Sequence, residues 1–141
     1  MYQTNKRKAK QLEIMGYRSE VYIAVPKKAE KEIDTIMNEY KLLEEDTFGE
    51  KRFEKYDHKQ TYTQFNADGK WFEKSRKLVI YEGNWLKWYE EYDDVQGITG
   101  IVEKYEPSGA CMVCVGEDGT IHSDMGEYHE VFNVYVKVEL A

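Results

Sequence analysis

A chain of 141 residues has room for one domain with a proper core, and 14% aromatic residues, among them twelve tyrosines and three tryptophans, exclude a disordered chain despite 33% charged residues. No apolar run approaches the ~20 residues that cross a bilayer, two cysteines make no disulfide scaffold, and the basic N-terminus leads into no secretory signal, so a cytoplasmic location without membrane contact is expected. The net charge of −7 is uneven: residues 1–81 carry 17 basic and 14 acidic side chains, a balance of +3, whereas residues 82–141 carry 3 and 13, a balance of −10. Such an acidic half repels nucleic acid and attracts basic proteins, although charge also simply keeps a small domain soluble.

In chain order, Lys6, Arg7, Lys8 and Lys10 lie in a basic N-terminal arm, residues 1–18, and a single domain is expected over 19–141. Glu20 to Val25 reads as a strand, with Val21, Ile23 and Val25 on one face and Tyr22 and Ala24 on the other. Pro26 ends it and opens an amphipathic helix whose apolar stripe is Ala29, Ile33, Ile36, Met37 and Tyr40, closing at Leu43. Thr61 to Phe65 and Lys70 to Lys74 flank Asn66-Ala67-Asp68-Gly69, a hairpin turn in which Gly69 takes a positive φ.

Leu78 to Tyr81 is a strand covered on both faces; Trp85 to Tyr92 reads either as its continuation or as a helix with Trp85, Trp88, Tyr89 and Tyr92 on one face, and a strand to about Trp88 is the favoured expectation. Asp93 or Asp94 then caps a helix to Tyr105, with Val95, Ile98, Val102 and Tyr105 in one stripe. Gly97 and Gly100 weaken this helix, which implies close packing on a sheet, and Pro107-Ser108-Gly109 stops it. Ala110 to Val115 and Thr120 to Met125 are strands about a second turn, Gly116 to Gly119, and Val131 to Leu140 alternates as a closing strand. The order implies an α+β fold: two layers, a mainly antiparallel sheet with two helices on one face, with ferredoxin-like connectivity and an inserted hairpin as the leading expectation.

The chemistry-bearing residues do not converge. Cys111, Cys114, His122 and His129 have zinc-ligand types, but the spacing is not that of a finger, and cysteines three apart in a strand point to opposite faces. No nucleophile, phosphate loop or calcium pattern stands out, so no enzyme, no catalytic residue, no metal and no cofactor are expected. The functional signal is a run of carboxylates among large rings: Glu82, Trp85, Trp88, Tyr89, Glu90, Glu91, Tyr92, Asp93 and Asp94. Rings anchor interfaces and carboxylates steer toward a basic surface, although both tryptophans would serve equally as core. Lys51 to Lys77 is the one basic-aromatic stretch, suited to single-stranded nucleic acid but diluted by Glu54, Asp57, Asp68 and Glu73.

The pattern K-W-Y-x-x-Y-x-x-V-Q-x-I at Lys87 to Ile98, with V-G-E-D at Val115 to Asp118, resembles small uncharacterised proteins of phages and prophages. The resemblance covers roughly the last 60 residues and carries over no functional residue. It implies, by analogy of class, an acidic anti-CRISPR or anti-restriction inhibitor. The expectation is therefore a non-enzymatic protein-binding module that blocks a basic, nucleic-acid-handling host or defence enzyme. A small single-stranded nucleic-acid-binding module and a structural phage component are the alternatives.

Overall fold

The computed structural model describes residues 17–133; Lys6, Arg7, Lys8 and Lys10 of the arm, and the part of the expected closing strand from residue 134 onward, lie outside them. Five antiparallel strands form one sheet: β1 (Ser19–Pro26), β2 (Phe53–Phe65), β3 (Trp71–Leu86), β4 (Cys111–Gly116) and β5 (Ile121–Met125), in the order β2-β3-β1-β4-β5. Helix α1 (Glu30–Glu39) links β1 to β2, and α2 (Asp93–Tyr105) links β3 to β4. The first four strands thus follow β-α-β-β-α-β with β1 and β3 inside, the ferredoxin-like connectivity, and β5 is added beyond β4.

Strand alternation splits the core in two. Val21, Ile23 and Val25 of β1 face the helices and pack with Ile33 and Met37 of α1 and Ile98 and Val102 of α2. Ala24 faces the other way, with Leu78, Ile80 and Cys111, under a partial cover of Tyr128, Val131 and Phe132. Both inner strands are therefore buried on two faces, which is why Leu78 to Tyr81 is apolar without a break.

Several boundaries differ from the sequence expectation, each for a local reason. After Pro26 comes a 3-10 turn, Lys27–Ala29, before α1, and α1 ends at Glu39 rather than running to Leu43. Lys41 takes a φ of 56°, which turns the chain so that Leu42 still reaches the core. In α2 the cap is Tyr92, without a side-chain hydrogen bond, and Asp93 and Asp94 sit in the first turn. There they still oppose the positive helix end. Gly97 packs against Ile36 of α1 rather than on the sheet, and Gly100 faces open space. Val131 to Asn133 follow a 3-10 turn (Tyr128–Glu130) and are not strand, with Phe132 N–H bonded to Tyr128 O.

The largest correction concerns the hairpin, which is not an insertion. β2 and β3 pair without a register break from Phe53↔Gly83 to Phe65↔Trp71. The short strands expected at 61–65 and 70–74 are the outer ends of these two long ones. Residues 61–65 and 71–75 are all exposed, so a two-stranded ribbon stands clear of the core by about five residue pairs, roughly 17 Å. Its tip is the expected turn, with Asn66 N–H bonded to Lys70 O and Gly69 at φ 75°.

Candidate functional site

On the face away from the helices, pleating places Glu20 and Tyr22 of β1 beside Tyr56 of β2 and Glu82 of β3. Tyr22 lies directly opposite Glu82, and Glu54 lies opposite Glu82 on its other side. The Tyr22 hydroxyl donates to Glu20 Oε2 at 2.7 Å, and the Tyr56 hydroxyl donates to Glu82 Oε1 at 2.6 Å. Val115, Val131, Phe132 and Asn133 complete a groove of about 460 Å³, with the Phe132 ring 5.6 Å from that of Tyr22.

The groove is negative and amphipathic. Burial, then the hydrogen bond to Glu82, pushes the Tyr56 phenol up to about 12, and burial with the bond to Glu20 raises Tyr22 further. Both rings therefore stay proton donors, clamped on carboxylates. No Lys or Arg lines the groove, and among the described residues neither Glu20, Glu54 nor Glu82 is in an ion pair. Glu54 and Glu82 are like charges directly across a strand pair, an arrangement that is destabilising until a cation meets it.

The nine residues singled out in the sequence are dispersed. Glu82 belongs to this groove. Tyr89 is 3% exposed, and its hydroxyl donates to Tyr17 O at 2.9 Å. Trp88 packs on the core, edge-to-face with Phe53 at 6.0 Å. Trp85 is 64% exposed, in a recess shared with Arg18, Arg52 and Lys87. Glu90, Glu91 and Asp93 are exposed around the start of α2, with Tyr92 and Asp94 half-buried beside them. Glu20, Tyr22 and Tyr56 did not stand out in the sequence. Their signal was there: Glu20-Val21-Tyr22 and Glu54-Lys55-Tyr56 repeat Glu-x-Tyr at strand period.

The cysteines and histidines stay apart. Cys111 joins the core of the open face and Cys114 that of the helix face, so one ion cannot bridge them. Burial raises both thiols, that of Cys111 to about 11. His122 sits in a cluster with Tyr17, Asp118 and Thr120, in which the Tyr17 hydroxyl donates to Asp118 Oδ1 at 2.6 Å. Glu117 N–H bonds to Arg18 O as well, so Tyr17 and Arg18 are tied to the β4–β5 turn. His129 lies with Glu127 and Glu130, their ligand atoms within 4.8 Å of one another, all three exposed.

Comparison with protein-family models, with curated proteins and with solved structures finds no match for this chain. No helix among the described residues is long and apolar enough to cross a membrane.

Proposed function

We propose that this protein is a non-enzymatic binding module whose open sheet face docks on a basic protein surface. The carrying observation is the groove of Glu20, Tyr22, Tyr56 and Glu82, two carboxylates each clamped by a phenol and neither neutralised by a cation of the described residues. A lysine or arginine entering it meets charge, and its aliphatic stem meets Tyr22, Phe132 and Val115. Arginine suits the site best, since its planar head matches carboxylates and stacks on rings. Surfaces rich in such cations are those that handle nucleic acid, so occupation by this module would block them. That is the inhibitor role implied by the phage resemblance.

A second reading has its own observation. The ribbon face carrying Gln60, Tyr62, Gln64, Phe72, Lys74 and Arg76 has no carboxylate, and Tyr62 pairs directly with Lys74 and Gln64 with Phe72. Exposed rings beside cations are what a single nucleic-acid strand stacks on. One competition separates the two. A labelled arginine-rich peptide and a labelled oligo(dT) are each titrated at low salt and at physiological salt. The docking reading expects peptide binding that weakens with salt and falls roughly tenfold or more in Glu20→Gln/Glu82→Gln, as for loss of charge-assisted contacts. Oligo(dT) binding lost with Phe72→Ala/Lys74→Gln, together with no peptide binding, replaces it with the second reading.

A further inference from the structure

A recess of about 260 Å³ opens at the end of β3, and its charge is the reverse of the groove's. Phe53 and Leu86 of the helix-side core form its floor, which places it on the opposite side of the sheet. Trp85 and Trp88 form its aromatic rim, and Arg18, Arg52 and Lys87 bring three cations to it. Among the described residues none of the three is in an ion pair. Asp94 is the one carboxylate of the lining, and its Oδ1 already accepts from the Val95 N–H of α2 at 2.9 Å.

The backbone presents Trp85 by an unusual device. Ser19 pairs with Leu86 but Val21 with Gly83, so Asn84 and Trp85 together oppose the single residue Glu20. Such a bulge re-aims a side chain, and here it turns the indole outward. Trp85 has a φ of 55°, the left-handed region that glycine and asparagine occupy easily and a bulky residue does not. A glycine would fit this bulge with less strain, and the ring contributes little buried surface. Its presence is accounted for by what it faces.

We infer that this recess binds a nucleoside phosphate, the base stacked on Trp85 and the phosphate held by Arg18 and Arg52, with Lys87 adding charge. Arginine meets phosphate with paired N–H donors, and a tryptophan face stacks any base. At about 260 Å³ the recess lies just below the usual size of ligand pockets, room for one nucleotide and not for a dinucleotide. The ligand is either a free nucleotide or the phosphorylated end of a strand. Neither the residues nor the ligand are those of the acidic groove, so the two proposals stand or fall separately.

The test follows the Trp85 indole N–H by NMR in the full chain at low salt, titrated with AMP, adenosine, inorganic phosphate and a 5′-phosphorylated oligo(dA). AMP should shift this resonance saturably, with adenosine and phosphate each roughly tenfold weaker, since each keeps only one half of the recognition. In Trp85→Gly, followed through the Trp88 indole N–H of the same recess, AMP binding should be abolished without lowering the melting temperature, because glycine relaxes the bulge. Arg52→Gln, at an exposed position, should weaken binding severalfold with the fold intact. Tighter binding of the oligonucleotide than of AMP assigns a strand end, and equal or weaker binding assigns the free nucleotide. No saturable shift with either, or binding untouched by both substitutions, overturns the inference.

Discussion

Gly83 shows how closely single atoms are set around the end of β3. A β-carbon there would stand 2.7 Å from Phe53 Cε1 and against Leu86 Cδ1, both parts of the buried core. Gly83→Ala should therefore cost about 1–3 kcal/mol, the range for overpacking a filled interior, read as a lowered denaturant midpoint. Asp118 carries a pH dependence of definite sign. The hydrogen bond from Tyr17, then that from Thr120, holds its carboxyl well below the usual range. A depressed carboxylate contributes stability above its ordinary value, near pH 4, and loses it as pH falls toward the folded value. Wild type should lose stability more steeply than Asp118→Asn between about pH 4 and pH 2, and the difference at neutral pH should stay below about 1 kcal/mol because the side chain is half exposed. Equal acid limbs in the two melting series would show that the Tyr17–Asp118 tie contributes nothing. The cysteines illustrate what sequence does convey: period 2 alone put Cys111 and Cys114 on opposite faces, and the structure does so.

At the scale of elements, the two helices and the paired inner strands were legible because their apolar periodicities are long and unbroken. The outer ribbon was not. Its residues make no contrast between faces, since 61–65 and 71–75 are exposed on both, and a strand without a buried side leaves no alternation to read. Isolated two-stranded ribbons are marginal in water, so this one is held by the register of its inner half, where Tyr56↔Ile80 and Phe53↔Gly83 join the core. Excising residues 61–75 and joining Gln60 to Arg76 through Asn-Gly should leave the fold intact, with stability changed by less than about 1 kcal/mol, because the segment packs on nothing else described. A cooperative unfolding transition lost from the shortened chain would show the ribbon to be part of the core. Trp71, 70% exposed, and Phe65, with its ring 5.1 Å away, form an exposed edge-to-face pair at the tip.

At the scale of the molecule, tertiary pairing rather than chain proximity assembles the acidic-aromatic groove. Glu82 was singled out among neighbours in sequence, while its partners Tyr22 and Tyr56 come from two other strands. No window along the chain holds all of them. The run from Trp85 to Asp94 instead divides into core rings, a cationic recess and an exposed acidic loop. In the docking account that loop steers and the groove holds. Changing Glu90, Glu91 and Asp93 to Gln or Asn should slow association of a basic ligand severalfold at low salt and leave dissociation nearly unchanged, as measured by stopped flow, because charges outside the contact act on the encounter through the long-range field. Glu20→Gln/Glu82→Gln should do the reverse.

The most direct measurement maps where a cationic ligand lands. Amide resonances of the full chain are followed while an arginine-rich peptide is titrated at low salt. The account predicts saturable shifts centred on Glu20 to Tyr22, Glu54 to Tyr56, Glu82 and Phe132, which vanish in Glu20→Gln/Glu82→Gln. Shifts confined to the Glu90–Asp94 loop or to the ribbon tip, or a map unchanged by the double substitution, would contradict it.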